Sequence, residues 1–349
     1  MHREFKINNF DLLRLFAACE VLFVHSFDRL QIPYPPFIKI MLNFSGVPMF
    51  FVMSGFLISA SLERNPNIKN YFRNRALRIY PALWTCLILT IPVISIVAHM
   101  SFLNLQTIPW IICQFFGIIY TPAFLKNFGF GSYNGSLWTI PLELQFYIIL
   151  PIIYLFASKL SKKENQKTFI IVATFLFFFI LTYYLKAKFG EGASPVETFK
   201  LKVLRYTFIP NIYLFLLGVV MQRFKVYRSN LIFGKGLFWL IAFLMFCYWV
   251  PSTNTTGMFR FLFLGITTIS LAYTLPATAS KILKGNDVSY GVYIYHGLVL
   301  GVIVQLKLFG NANYAIVVIL IAVVLAMLSW NFVEKPCIKR KKKTIHKLT

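Results

Sequence analysis

The sequence predicts an all-α fold, a polytopic bundle of transmembrane helices. The chain has 349 residues, of which 58% are hydrophobic and only 13% are charged, whereas a soluble domain carries about 25% charged residues. Apolar stretches of about 20 residues, the length that crosses the hydrocarbon core of a membrane, recur along nearly the whole chain. No sizeable soluble domain fits between them. We therefore expect one transmembrane domain over residues 1–335 and a basic cytoplasmic tail over 336–349.

Ten spans are predicted in order, at residues 10–30, 37–60, 79–99, 137–157, 168–186, 204–222, 236–251, 260–279, 289–307 and 314–333. An eleventh candidate, 107–124, is short and is broken by Pro109 and Pro122. The N-terminus and the tail are both basic, so the positive-inside rule places both in the cytoplasm of a bacterium, with the chain in its inner membrane. This orientation requires an even number of spans, and 107–124 is therefore expected to be re-entrant. The basic loop 187–203 goes against the rule.

Composition and motifs exclude several function classes. The net charge is +24, but the basic residues lie in short loops and not in a soluble module, so nucleic acid is not an expected partner. The five cysteines form no CxxC pair. Walker, HExxH and GxSxG motifs are missing as well. We expect no metal site, and membrane lipids as the surroundings.

The first predicted span contains ionisable residues, which are costly in a membrane and indicate function. Arg14 and His25 are eleven residues apart, which places them on one helix face and about 16 Å apart along the axis. Such a pair is suited to hold the phosphates of a long acyl carrier at Arg14 and its thioester at His25. In the alternative, Arg14 only extends to the interface and His25 is a hydrogen-bonded core residue. Asp11 is expected to pair with Arg14, and Glu20 has no assigned role.

A basic cluster precedes the third span, in the segment YFRNRALRIYPALW, with Arg73, Arg75, Arg78 and Tyr80. Arginine side chains at this position can bind the phosphates of the same acyl carrier. Ordinary positive-inside flanking explains them equally simply, although least easily for Arg78, which lies closest to the apolar run.

The fourth span opens with GSLWTIPLELQFY, which contains Trp138 and Glu143. Glu143 is expected in the outer half of the membrane, at a depth similar to that of His25. A carboxylate and an imidazole at that depth can act as base and orienter on an alcohol. Alternatively, Glu143 neutralises a basic neighbour.

The segment SYGVYIYHGLVL begins the ninth span and carries Ser289, Tyr290, Tyr293 and His296. Tyrosines alone are typical of an interfacial aromatic belt. His296 fits either a structural hydrogen bond or a channel lining. Glu334, at the end of the last span, is expected to pair with one of the cytoplasmic arginines and hold the bundle closed.

These segments together resemble the integral-membrane acyltransferase family 3, many of whose members O-acetylate bacterial surface glycans. The matching pieces follow the family order and are FDLLRLFAACEVLFVH, GVPMFFVMSGFLIS, RNRALRIYPALW, NGSLWTIPLELQFY, SYGVYIYHG and VEKP. The resemblance implies a ten-helix bundle, acetyl-CoA or another acyl-CoA as the cytoplasmic donor, and a surface glycan or lipid-linked oligosaccharide as the acceptor. It implies that Arg14 and His25 are the essential pair of the first span. It also implies that Glu143 is the acidic position after SLW, and that the family's basic cluster corresponds to Arg73, Arg75 and Arg78.

The expected function is therefore that of a membrane O-acyltransferase, most simply an O-acetyltransferase. His25, assisted by Glu143, would deprotonate a sugar hydroxyl or carry the acyl group transiently. The chain ends soon after the last span, so we do not expect the appended esterase-like domain of some relatives. Two other functions remain open: a transporter or flippase for a lipid-linked sugar without covalent chemistry, and a membrane sensor that binds acyl-CoA.

Overall fold

The computed structural model describes residues 5, 7–189, 204, 206–253 and 255–339. Its α-helices are α1 (Phe10–Arg29), α2 (Pro36–Met41), α3 (Gly46–Arg64), α4 (Ile68–Ala98), α5 (Thr107–Phe115), α6 (Ile140–Leu160), α7 (Glu164–Phe189), α8 (Ile212–Arg223), α9 (Gly236–Trp249), α10 (Thr256–Ala272), α11 (Thr278–Leu283), α12 (Ser289–Gln305) and α13 (Ala312–Ser329). A π-helical turn, Trp330–Glu334, follows α13 directly, and the helix continues to Lys339. The tail from residue 340, most of loop 187–203, and the N-terminal Arg3 and Lys6 lie outside the described residues.

The architecture is that of an all-α polytopic membrane protein, as predicted. Five described helices are long and apolar enough to cross a membrane, namely Gly46–Arg64, Ile68–Ala98, Gly135–Leu160, Glu164–Lys188 and Ala312–Lys339. Four more are shorter and apolar, and these are α8, α9, α10 and α12. Together with the 20-residue α1, they correspond one by one to the ten predicted spans.

Several predicted spans differ in their bounds. The helix in span 204–222 begins at Ile212, and the helix in span 260–279 ends at Ala272. The span 37–60 is interrupted, because α2 ends at Met41 and α3 begins at Gly46. Pro48 explains the new start, since proline has no N–H to donate and is tolerated only in the first turn of a helix. The third span begins earlier than predicted, because α4 is 31 residues long and starts at Ile68. The basic cluster is therefore helical and not part of a loop.

The segment 107–124 does not form a spanning helix. Its helix, α5, has 9 residues, which is about 14 Å and less than half of the hydrocarbon thickness. α5 reaches deep along α4, because the Trp84 and Phe115 rings stack with centroids 4.5 Å apart. Trp84 lies fourteen residues before the end of α4 at Ala98, about 21 Å along the helix axis. This geometry fits the predicted re-entrant segment.

Side chains satisfy the backbone at the tip of this segment. Trp84 Nε1 donates to Phe115 O over 3.0 Å and Tyr80 OH to Phe116 O over 3.4 Å. Gln114 Nε2 donates to the carbonyl oxygens of Ile118 and Tyr120, which follow α5, over 3.2 and 3.1 Å. Unpaired backbone groups are very costly in lipid. These contacts therefore allow a non-helical turn at membrane depth and give Tyr80 a structural role.

The chain divides into two compact units. The first contains the described residues of Met1–Arg14, Asn43–Tyr71 and Leu142–Gly285. In it α3 and α8 pack backbone to backbone: a Cβ on Gly55 would lie 1.9 Å from Phe215 O, and one on Gly218 would lie 2.1 Å from Val52 O. Glycine is needed at both positions because no side chain fits between the two helices.

A charged network joins the helices of this first unit. Arg223 of α8 forms ion pairs of 2.9 Å with Glu63 of α3 and with Glu164 of α7. Tyr154 of α6 donates to Glu63 over 2.8 Å, and Gln222 donates to it over 3.0 Å. Ends of four helices are thus held at one level by a single guanidinium and its carboxylates.

The second unit contains the described residues of Leu15–Leu42, Phe72–Pro141 and Asn286–Thr349. Its central helix is α12, which packs closely on α13, since a Cβ on Gly291 would lie 2.8 Å from Ala326 Cα. An apolar core joins the end of α1 to α12 and α13, and its buried members are Phe27, Leu30, Ile32, Ile38, Val299, Leu300, Ile303, Ala315 and Val318. This core fixes α1 beside α12, where the chemically interesting side chains meet.

Candidate functional site

Two histidines from distant parts of the chain meet in the second unit. His25 Nδ1 lies 3.1 Å from His296 Nε2, and the ring centroids are 5.3 Å apart. His296 is completely buried, whereas His25 is half-buried. The sequence analysis singled out both residues but did not pair them.

The contacts of His296 determine which nitrogen carries each proton. Its Nδ1 lies 3.1 Å from the carbonyl oxygen of Val292, and because a carbonyl can only accept, Nδ1 must carry the hydrogen. In a neutral ring Nε2 is then an acceptor, so the hydrogen between the two rings belongs to His25 Nδ1. This leaves the lone pair of His25 on Nε2, the form required of a general base or a nucleophile.

A second polar group lies at the beginning of α12. Asp287 Oδ1 accepts from Ser289 Oγ over 2.5 Å and from Ser289 N over 3.3 Å, at the first residue of the helix. Asp287 Oδ2 accepts from Arg78 of α4 over 2.6 Å. Arg78 also lies 3.8 Å from Glu334, whose other oxygen accepts from Ser329 over 3.1 Å. The expected pairing of Glu334 with an arginine is therefore present, and Arg78 joins α4, α12 and the π-helical turn.

The tyrosines of α12 also bind neighbouring elements. Tyr290 OH donates to Ile79 O of α4 over 3.2 Å. Tyr293 OH lies 2.8 Å from Thr139 Oγ1, and its ring contacts that of His296 edge to face with centroids 5.9 Å apart. These contacts hold the helix that carries His296 in a fixed rotation.

The NGSLW segment packs directly on α12. Asn134 Nδ2 donates to Ile294 O over 2.8 Å, and Asn134 Oδ1 caps the 3-10 turn Gly135–Thr139 through Ser136 N. A Cβ on Gly297 would lie 2.0 Å from Asn134 Oδ1. Glycine must therefore follow His296 if the two segments are to touch. Trp138 lies half-buried in the same turn.

Other predicted residues have different surroundings. Arg14 forms the expected ion pair with Asp11, at 2.8 Å. Glu143, in the first turn of α6, accepts a hydrogen bond from Tyr147 OH one turn later. Glu20 is buried. Arg14 and His25 lie on one continuous helix, α1, so their predicted spacing along one face is retained.

The remaining arginines of the basic cluster lie on α4, with Arg73 exposed and Arg75 half-buried. The Arg78 guanidinium is placed between two carboxylates. A donor phosphate would compete with those carboxylates at Arg78.

The sequence model of a family described as an acyltransferase domain matches residues 7–331. This chain belongs to that acyltransferase family. The acyltransferase is 29% identical to nodulation protein 10 of Rhizobium leguminosarum bv. viciae, over 95% of this chain and 93% of the relative. It is 26% identical to the O-acetyl transferase of Shigella phage Sf6, over 96% and 97% of the two chains.

A third relative of the acyltransferase is the peptidoglycan O-acetyltransferase OatA of Listeria monocytogenes, 23% identical over 84% of this chain and 51% of the relative. The chain thus spans about half of the length of OatA. No solved structure matches the chain. Across the part of the acyltransferase that the structure describes, no group of three or more His, Cys, Asp or Glu is arranged to hold a metal ion.

Sequence reasoning missed three contributors to the site. Asp287 binds Arg78, Thr139 binds Tyr293, and Asn134 binds the backbone of α12. Asp287 left a usable signal, since an aspartate at a helix start commonly forms an Asx turn, in which its side chain accepts from the backbone two residues on. Thr139 and Asn134 left none, because their partners are more than 150 residues away in sequence.

Proposed function

We propose that this acyltransferase is a membrane O-acetyltransferase that moves an acetyl group from cytoplasmic acetyl-CoA to a hydroxyl of a surface polysaccharide or its lipid-linked precursor. The observation that carries the proposal is the hydrogen-bonded series from His25 through His296 to Val292 O. These contacts place the lone pair of His25 on Nε2, and the chain belongs to an acyltransferase family. The name of one relative, O-acetyl transferase, supports transfer of acetyl, and that of another, peptidoglycan O-acetyltransferase, supports a glycan acceptor.

In the proposed reaction, His25 Nε2 takes the proton from the sugar hydroxyl while the hydroxyl oxygen attacks the thioester carbonyl. The C–S bond breaks, and the proton passes from His25 to the sulfur of CoA. His296 keeps the ring of His25 in the required tautomer through the 3.1 Å contact, and it can share the charge that develops on His25. Orientation of a base by a third group is a general feature of such catalysis.

A covalent relay uses the same atoms. His25 Nε2 would attack the thioester carbonyl, the C–S bond would break, and CoA would leave as the thiolate. The sugar hydroxyl would then attack the carbonyl of the acyl-imidazolium, its proton would neutralise the thiolate, and His25 would be released in its starting form. A trapped acyl-imidazole would support the relay, and strictly ternary-complex kinetics would contradict it. Both routes require the lone pair on Nε2 and the hydrogen on Nδ1.

Arginines of α1 and of α4 are proposed to bind the phosphates of the donor. Arg14, Arg73 and Arg75 are the candidate phosphate ligands, because guanidinium groups bind phosphate in a bidentate manner. By the positive-inside rule, the basic N-terminus and tail support a cytoplasmic position for these arginines, with the chain in the bacterial inner membrane. Glu143 is retained as a second candidate catalytic residue on the basis of its position in the NGSLWTIPLELQFY segment.

The test compares the surface glycan of cells lacking the protein, cells with wild type, and cells with His25→Ala. Ester-linked acetyl is scored by proton NMR before and after mild alkali. We expect acetyl only with wild type, at equal glycan amount and equal protein level in the membrane. Unchanged acetyl with reduced glycan export would replace the proposal with a flippase, and acetyl esters retained in His25→Ala cells would remove His25 from the reaction.

A further inference from the structure

A polar and aromatic group lies one turn beyond His25 on α1. Asp28 and Arg29 follow His25 by three and four residues, so they project from the same side of the helix. The Arg29 guanidinium lies over the Phe130 ring, 4.8 Å from its centroid. Tyr34 OH donates a hydrogen bond to Asp28, and both charged side chains are exposed. The group therefore faces outward next to the proposed catalytic base.

Three glycines hold Phe130 in this position. Gly129 and Gly131 have φ values of +59° and +85°, a backbone region that other residues rarely adopt. A Cβ on Gly129 would lie 3.0 Å from Gly301 Cα of α12, and one on Gly135 would lie 2.8 Å from the Phe130 ring itself. The loop is thus anchored to α12, and its glycines present one aromatic ring.

The apolar core beneath the group keeps it rigid. Tyr34 and Phe130 both pack against the buried cluster that contains Phe27 and Leu30, and the Phe27 and Tyr34 rings stack with centroids 5.7 Å apart. The end of α1 is fixed further by Gly310 N, which donates to Leu30 O over 2.8 Å. A site held by packed neighbours is preorganised for a ligand.

The chemistry of the group matches a sugar ring. A pyranose offers hydroxyls that both donate and accept, and apolar C–H faces between them. Arg29 provides donors only and Asp28 provides acceptors only, while Phe130 and Tyr34 provide apolar ring surfaces. A guanidinium stacked on a ring keeps its edge N–H groups in the plane that faces solvent. Among the described residues no ion pair occupies Arg29.

We propose that Asp28, Arg29, Tyr34 and Phe130 form the subsite that binds the acceptor sugar and presents its hydroxyl to His25. This inference rests on the proposed O-acetyltransferase function and deepens it. Asp28 follows Arg14 by fourteen residues on α1, which is about 21 Å along the helix axis.

The experiment uses full-length protein in membrane vesicles with labelled acetyl-CoA and non-acetylated glycan isolated from a strain lacking the protein. Arg29→Gln and Phe130→Ala should each raise the apparent KM for glycan about tenfold. The KM for acetyl-CoA should stay unchanged. Phe130→Tyr, which keeps the ring, should restore the KM for glycan. Lys126→Gln, a charge loss at an exposed position of the same loop, is the matched control and should behave as wild type.

The outcomes separate the two levels of the proposal. An unchanged KM for glycan in both Arg29→Gln and Phe130→Ala would overturn the subsite while leaving the enzyme function intact. An equal rise in the KM values for glycan and acetyl-CoA would also overturn it, since the variants would then act on the whole fold. Absence of label transfer by wild type would overturn the O-acetyltransferase function and the subsite together.

Discussion

His25 Nδ1 and His296 Nε2 lie 3.1 Å apart, although 271 residues separate them in the chain. The carbonyl of Val292 fixes the proton of His296 on Nδ1, and the direction of the hydrogen bond between the rings follows. One backbone oxygen thus determines which nitrogen of His25 carries the lone pair.

Replacement of His296 should lower turnover and leave donor binding unchanged. His296→Ala removes the acceptor for His25 Nδ1–H, so His25 loses its fixed tautomer and orientation. We expect kcat to fall about 100-fold or more, the range measured for general acid–base groups, with the KM for acetyl-CoA within about twofold of wild type. His296→Gln offers an amide oxygen to His25 and should recover part of the loss.

The control for this pair is His99→Asn. His99 is exposed at the end of α4 and has a φ of 53°, a conformation that asparagine tolerates. It should retain wild-type turnover. A His296→Ala protein with wild-type kcat would show that the contact between the two rings has no part in the reaction.

Arg78 and Asp287 should be coupled in stability. Each single replacement, Arg78→Ala or Asp287→Ala, leaves a largely buried charge without its partner at 2.6 Å. The double variant leaves neither, so its loss should be smaller than the sum of the two single losses. Melting temperatures of the purified proteins in detergent measure this. Strict additivity would contradict the assignment of Arg78 as a link between α4 and α12.

Arg73 and Arg75 should behave in the opposite way. Because they are proposed to bind donor phosphates, Arg73→Gln and Arg75→Gln should raise the KM for acetyl-CoA about tenfold each with little change in melting temperature. Arg64→Gln, at the end of α3, serves as a charge-matched control. A donor KM that responds to Arg78 and not to Arg73 or Arg75 would reverse the assignment.

The network around Arg223 should contribute mainly to folding. Arg223→Ala removes its ion pairs with Glu63 and Glu164 and its hydrogen bonds to Thr168 together, so it should cost more than one surface pair, about 1–3 kcal/mol. Glu164→Gln should cost far less, since the Glu164 side chain is 66% exposed and surface pairs contribute about 0–1 kcal/mol. Chemical denaturation of both variants checks the contrast. Equal losses would show that exposure does not set the energy of these two pairs.

Much of the fold can be predicted from the sequence, because a membrane helix requires a long apolar stretch that is visible in the local composition. Apolar length alone predicts α1, α12 and α13, and Pro109 and Pro122 predict the break in 107–124. The sequence did not indicate the interruption between α2 and α3, because residues 42–45 include Leu42 and Phe44 and continue the apolar run. The proline three residues further on was the only local signal.

The site could be predicted only in part. Each histidine is visible as an ionisable residue in an apolar span, but their meeting depends on the packing of α1 against α12. Asp287 has a turn signal in the sequence, but its contact with Arg78 depends on the packing of α4 against α12. The role of Phe130 depends on backbone angles at Gly129 and Gly131, which no composition shows.

The most direct test of the account is transfer of labelled acetyl from acetyl-CoA to glycan by purified protein in proteoliposomes, comparing wild type with His25→Ala. The account predicts alkali-labile label on the glycan with wild type, and label at the protein-free background with His25→Ala protein of equal amount and equal melting temperature. Two results would contradict it. One is glycan that wild type moves across the membrane but leaves unlabelled, and the other is equal labelling by wild type and His25→Ala.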